Sequence, residues 1–135
     1  MELALRELVL SRLDNDPARL PPQMAQKARE RIDAAVRKEP GAGAGEANDL
    51  DAFLEYLDLR DLQEIITAKP TWPLFVSIFG TKESVGSRFS QLAELRNAIR
   101  HSRGVSDVAI KDGEAGVLWF GQVFDSLERD AVDGD

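Results

Sequence analysis

Apolar residues recur at helical spacing along almost the whole chain, and no stretch alternates apolar and polar residues with a period of two. Amphipathic helices without strands must bury their stripes against one another, so the expected fold is all-α, an antiparallel helical bundle of four to five main helices. Leu3, Leu5, Leu8, Val9 and Leu13 predict a first helix, ended by the breaker Asp14-Asn15-Asp16-Pro17. Pro21 and Pro22 open a second, reaching to about Lys38. Its apolar side carries Met24, Ala28, Ile32, Ala35 and Val36, and Lys27, Arg29, Glu30, Arg31 and Arg37 are expected in solvent on the other.

The run Pro40-Gly41-Ala42-Gly43-Ala44-Gly45 is too rich in glycine for regular structure. It predicts a flexible loop over 40–49 inside one domain, because the helical pair in 1–39 is too small to stand alone. The main bundle is expected over 50–128. Leu50, Phe53, Leu54, Leu57, Leu62, Ile65 and Ile66, then Trp72, Leu74, Phe75, Ile78 and Phe79, are its candidate core. A long helix over 82–103 should close at Gly104. A last helix should open near Ser106, turn irregular at Gly113 and Gly116, and bury Val117, Leu118, Trp119, Phe120, Val123, Phe124 and Leu127 before the tail 129–135 frays.

The 135 residues, 43% of them apolar, suffice for one core. With no cysteine, disulfide frameworks, thiolate zinc sites and cysteine nucleophiles are excluded. No apolar run approaches the roughly 20 residues that span a bilayer, and the start MELALRELVLSRLDND is amphipathic rather than signal-like. A soluble, cytoplasmic protein with no membrane partner is the expectation. A net charge of −7 opposes indiscriminate nucleic-acid binding. The sign reverses locally: between Lys82 and Arg103, the bases Lys82, Arg88, Arg96, Arg100 and Arg103 face only Glu83 and Glu94.

That segment carries the one histidine, in AELRNAIRHSRG. With Leu92 set at 0° on a helical wheel, Val85, Phe89, Leu95 and Ile99 form an apolar stripe within about 60° of it, and Arg96 falls inside the stripe near 40°. A guanidinium there needs a carboxylate such as Asp58 or Asp61, or an anion reached through a gap. Gly86, Ser90, Ala93, Asn97 and His101 make a second, narrow stripe between about 100° and 180°. This face of small residues reads as a homodimer seam, which two-fold symmetry would turn into a composite site with two copies of Asn97 and His101. The structural alternatives are that Arg100, His101 and Arg103 answer the negative end of the helix macrodipole, and that the small residues admit another helix of the same chain.

Arg96-Asn97-x-x-x-His101 resembles the signature of the HEPN superfamily, an arginine, a polar residue and a histidine near the end of a bundle helix. The stretch from Phe53 to Ile66, then Trp72 and Phe75, then LAELRNAIRHSRGVS, is similar to the branch found in a eukaryotic messenger-RNP-surveillance endoribonuclease and in bacterial defence-associated proteins. The likeness covers roughly residues 50 to 128. It implies a HEPN-like bundle that acts as a homodimer through the motif helix, and a metal-independent endoribonuclease with no cofactor. Arg96 and His101 would be the catalytic pair, Asn97 the polar motif residue, and Arg88, Arg100, Ser102 and Arg103 would bind RNA. An antitoxin or a fused effector domain is then a candidate partner.

Chemistry supports the same assignment. Cleavage through the ribose 2′-hydroxyl needs a base, an acid for the departing 5′-oxygen and a cation for the phosphorane, which histidine and arginine supply without metal. The rivals are a HEPN domain that binds RNA or nucleotide without cutting, favoured by the pI of about 4.8, and a dimerisation or interaction module of a larger protein. Zinc lacks its usual ligands, the acids lack the alternation of a calcium loop, and the Gly/Ala run is not followed by P-loop spacing.

Overall fold

The computed structural model describes residues 1–39, 49–101 and 106–133. Among them every regular element is helical: α1 Glu2–Arg12, a 3₁₀ turn Pro17–Arg19, α2 Pro22–Lys38, α3 Leu50–Glu55, α4 Leu59–Thr67, α5 Trp72–Phe79, α6 Lys82–His101 and α7 Asp107–Asp133. The expectation of an all-helical chain is met. Seven α-helices stand where four to five main ones were expected, because Tyr56-Leu57-Asp58 divides 50–67 in two and α5 is a helix of its own. The Gly/Ala run lies outside the described residues. The backbone forms two compact units, Glu2–Phe75 and Val76–Asp135.

In Glu2–Phe75, α1 buries Leu5, Leu8 and Val9 along one stripe, whereas Leu3, expected on that stripe, is exposed. At the N-terminal end of the stripe nothing among the described residues covers it. The chain then reverses through Asp14 and Asn15, both at positive φ (54° and 55°), a conformation these two residue types tolerate better than most. Asp16 caps the 3₁₀ turn, accepting from the Ala18 N–H at 3.0 Å. Helix α2 begins and ends where the prolines and the amphipathic pattern placed it, and buries Met24, Ala25, Ala28 and Ile32.

All seven expected core residues of 50–66 are buried, from Leu50 to Ile66. Asp49 caps α3. At α4 a capping box closes reciprocally, since the Asp61 N–H donates to Asp58 Oδ1 at 2.9 Å and the Asp58 N–H donates to Asp61 Oδ2 at 3.0 Å. Asp58→Ala is expected to cost about 1 kcal/mol of stability, measurable by urea titration.

In Val76–Asp135, Gly80 takes a positive φ of 85° to leave α5, and Thr81 caps α6 by accepting from the Ser84 N–H at 3.1 Å. Ser106 caps α7 through the Ala109 N–H at 3.2 Å. Helices α6 and α7 pair antiparallel. A Cβ built at Gly113 would stand 2.4 Å from Leu95 Cβ, and one at Gly116 would stand 2.9 Å from Gln91 Cβ and 3.3 Å from the Arg88 carbonyl. The irregularity expected at these glycines is therefore absent: α7 is continuous, and at the glycines its backbone closes on Leu95 and Gln91 of α6.

Above the glycines an aromatic cluster fills the seam. Phe120 packs edge-on against Phe89 at 5.1 Å, Phe79 at 6.3 Å and Trp119 at 4.9 Å, while Phe79 stacks on Trp119 at 5.9 Å. Helix α7 runs on to Asp133, past the expected end near 128. Val117 and Leu118, expected in the core, are exposed, Leu118 by 66%. The face of α7 that meets α6 is fixed by Gly113, Gly116 and Phe120, and these two residues lie off it.

Candidate functional site

Helix α6 presents the motif. Four residues apart on a helix, Asn97 and His101 share one face, and Arg96 and Arg100 share the next. Along the helix, positions 96 and 101 are separated by about 140° and about 7.5 Å of rise. Arg96 is half-buried and has an interaction partner. Asn97 is exposed. The side chains of Arg100 and His101, and the whole of Ser102 and Arg103, lie outside the described residues.

On the stripe of small residues Gly86 is half-buried, while Ser90 and Ala93 are exposed with Asn97. The alternative in which these residues admit another helix of the same chain is not what α7 does, because its glycines close on Arg88, Gln91 and Leu95, a different side of α6. Within the apolar stripe Val85, Phe89 and Leu92 are buried, but Ile99 is 71% exposed. The stripe continues by periodicity into turns where nothing among the described residues covers it.

Of the four expected RNA-binding residues, Arg88 is the one whose side chain is described. Its guanidinium lies over the Trp119 ring, 5.6 Å from the centroid, and its Nη1 donates to Gln91 Oε1 at 3.2 Å. The side chain is half-buried and tied to the hairpin rather than extended into solvent.

The clearest electrostatic centre lies at Asp61, outside the residues expected to form the functional site. Asp61 is 2% exposed, and both its oxygens are engaged by α2: Lys27 Nζ donates to Oδ1 at 2.7 Å and Arg31 Nη1 to Oδ2 at 2.8 Å. Arg31 Nη1 also donates to the Tyr56 carbonyl at 2.7 Å. Burial alone would push the Asp61 carboxyl up, but the bonds from Lys27, the Asp58 N–H and Arg31 outweigh it and hold it below the usual carboxylate value. Lys27 is correspondingly raised, chiefly by its hydrogen bond to Asp61.

Asp61 was a sequence candidate for pairing with Arg96; its carboxylate is instead filled by Lys27 and Arg31, which were expected in solvent. The signal was present. Asp61 lies one turn from Leu57 and one from Ile65, on the apolar side of α4, and two cations spaced i, i+4 stand ready on α2. With both carboxylate oxygens engaged, this buried cluster ties α2 to the start of α4 and reads as structural rather than catalytic.

No family model, curated protein or solved structure matches the chain. Among the described residues no helix is long and apolar enough to cross a membrane.

Proposed function

We propose that the chain is a metal-independent endoribonuclease of HEPN type, working as a homodimer in which α6 of one protomer faces α6 of its partner. The observation that carries this reading is the exposed Ser90, Ala93 and Asn97, a face of small residues left uncovered and leading, one turn on, to His101. The roughly 140° between positions 96 and 101 adds to it, because groups that one helix sets apart can meet across a two-fold axis.

In the proposed reaction the 2′-oxygen attacks the adjacent phosphorus, its proton passes to a base, and the 5′-oxygen leaves with a proton, giving a 2′,3′-cyclic phosphate and a 5′-hydroxyl end. His101 moves the proton or holds the 2′-hydroxyl, Arg96 and Arg100 stabilise the phosphorane, and Asn97 orients the imidazole or the phosphate. With EDTA present, His101→Ala is expected to cleave RNA about 100-fold or more slowly than wild type at equal concentration. Equal cleavage by the two proteins would remove His101 from the reaction, and loss of wild-type cleavage in EDTA would remove the metal-free mechanism.

The net charge of −7 favours a second reading, in which the domain binds RNA or nucleotide, or joins a larger assembly with an antitoxin or fused effector, without cutting. Salt-dependent binding of an RNA that stays full length identifies that case.

A further inference from the structure

Helix α7 meets α6 through Gly113, Gly116 and Phe120, and about 160° round from Phe120 stands Leu118, 66% exposed. The residues on either side of this leucine are patterned. Seven residues make close to two helical turns and eleven close to three. Lys111 and Asp125, each seven residues from Leu118, and Asp107 and Arg129, each eleven, therefore all lie within about 20° of it. Equal distances carry opposite charges, base against acid at seven and acid against base at eleven. Glu114 and Gln122, four residues out, set a carboxylate against an amide. All six flanking residues are exposed, and the side chain of none is hydrogen-bonded or ion-paired to a described residue.

Such a pattern complements itself only when reversed. A second α7 laid antiparallel, with both Leu118 side chains beside the two-fold axis, sets Lys111 opposite Asp125 of the second copy about 10.5 Å from the axis. Asp107 comes opposite Arg129 of the second copy at about 16.5 Å, and Glu114 opposite the Gln122 amide. Symmetry repeats each contact at the other end. A parallel alignment would set lysine on lysine and aspartate on aspartate, which repel. Three acids (Asp107, Glu114, Asp125) against two bases (Lys111, Arg129) leave the face at −1, so it escapes most of the repulsion that a chain charge of −7 imposes elsewhere.

We infer that the outer face of α7 is a self-association surface, on which a second copy of this chain docks its own α7 antiparallel, with the two leucines at the centre and four ion pairs toward the ends. Burial of Leu118 supplies the attraction, and the charges fix direction and register. The surface is separate from the proposed α6 seam, because the exposed small residues of α6 lie on the side of that helix turned away from the α7 glycines. A chain that uses both surfaces assembles as a tetramer or longer; one that uses α7 alone is a dimer.

The experiment is size-exclusion chromatography with light scattering on the full chain at about 200 μM, well above the dissociation constant of about 10 μM that suits so narrow a surface. Lys111→Glu and Asp125→Lys each set like charges opposite one another, so each variant alone should associate at least tenfold more weakly and run at half the wild-type mass, with helix content unchanged. Mixed in equal amounts, the two variants face each other with opposite charges and should regain the wild-type mass, which no folding defect would allow. Because the chain has no cysteine, Leu118→Cys supplies a single thiol beside the axis and should cross-link on mild oxidation, whereas Val108→Cys, ten residues away, should not. Adding Ser90→Glu, which charges the α6 face, should leave the Leu118→Cys cross-link unchanged, so failure of the α6 dimer and failure of this surface are told apart. The inference is overturned if wild type runs at the 14.9 kDa of one chain, if the charge-reversed variants keep the wild-type mass or stay at half of it when mixed, or if Val108→Cys cross-links as readily as Leu118→Cys.

Discussion

Gly113→Ala is expected to destabilise the protein, although alanine is the better helix former. On an isolated helix the exchange would gain about 1 kcal/mol. Here the new Cβ would lie 2.4 Å from Leu95 Cβ, an atom fixed to the α6 backbone that cannot rotate away. Overpacking of this kind costs about 1–3 kcal/mol or more, so the clash outweighs the propensity. Gly121, on the same helix, has nothing within 4 Å of its virtual Cβ, and Gly121→Ala should stabilise by about 1 kcal/mol. The two variants should thus move the urea midpoint in opposite directions. A shift in the same direction for both would show that α6 and α7 do not approach as described. Gly113→Leu places three further carbons in the same space and is expected to prevent the pairing of α6 with α7.

Asp61→Asn should be the second severe change. A carboxylate that accepts from Lys27, Arg31 and the Asp58 N–H becomes an amide whose NH₂ must face one of those donors. Hydrogen bonds to charged groups contribute about 1.5–3 kcal/mol each. Lys27 and Arg31 stay partly exposed and can rehydrate, so the net loss is about 3 kcal/mol rather than the sum.

The pH dependence follows from the direction of the shifts. Asp61 titrates below its ordinary 3.8 in the folded chain, so its stabilisation is complete above that value and is lost as pH falls through the folded one. Lys27 titrates above its ordinary 10.5, so its share is complete below that value and is lost as pH rises through the folded one. The stability difference between wild type and Asp61→Asn should stay level from neutral pH to about pH 5 and narrow below about pH 4. A difference that widens on acidification would mean that Asp61 is not ionised in the fold.

What the sequence made legible is what is decided locally. Pro22 and the amphipathic run to Lys38 set both ends of α2, and all seven residues that apolar spacing picked out in 50–66 are buried, although Ala52, Leu59 and Asp61 are buried there as well. Features that depend on a distant partner were hidden. Gly113 and Gly116 look like helix breakers until Leu95 and Gln91 are brought against them. Lys27 and Arg31 look solvated until Asp61, 34 and 30 residues away, is placed beside them. Ile99 and Leu118 fit an apolar stripe by spacing, but spacing does not say where the neighbouring helix ends. Of the candidate site, the exposure of Asn97 was legible as a face of α6 apart from the core; the engagement of Arg88 with Trp119, 31 positions later, was not.

The seam that joins α6 to α7 also bears on the order in which the chain acquires its shape. Leu95 and Gly113 are 18 positions apart, whereas the bond from Arg6 to the Leu57 carbonyl closes a span of 51. The entropic cost of bringing two points together grows with the logarithm of the intervening length, which sets the longer closure about 1 kcal/mol higher. The contact of Leu95 with Gly113 is therefore expected to form ahead of the closure between Arg6 and Leu57, an order that φ-values for Leu95→Ala and Leu57→Ala would check.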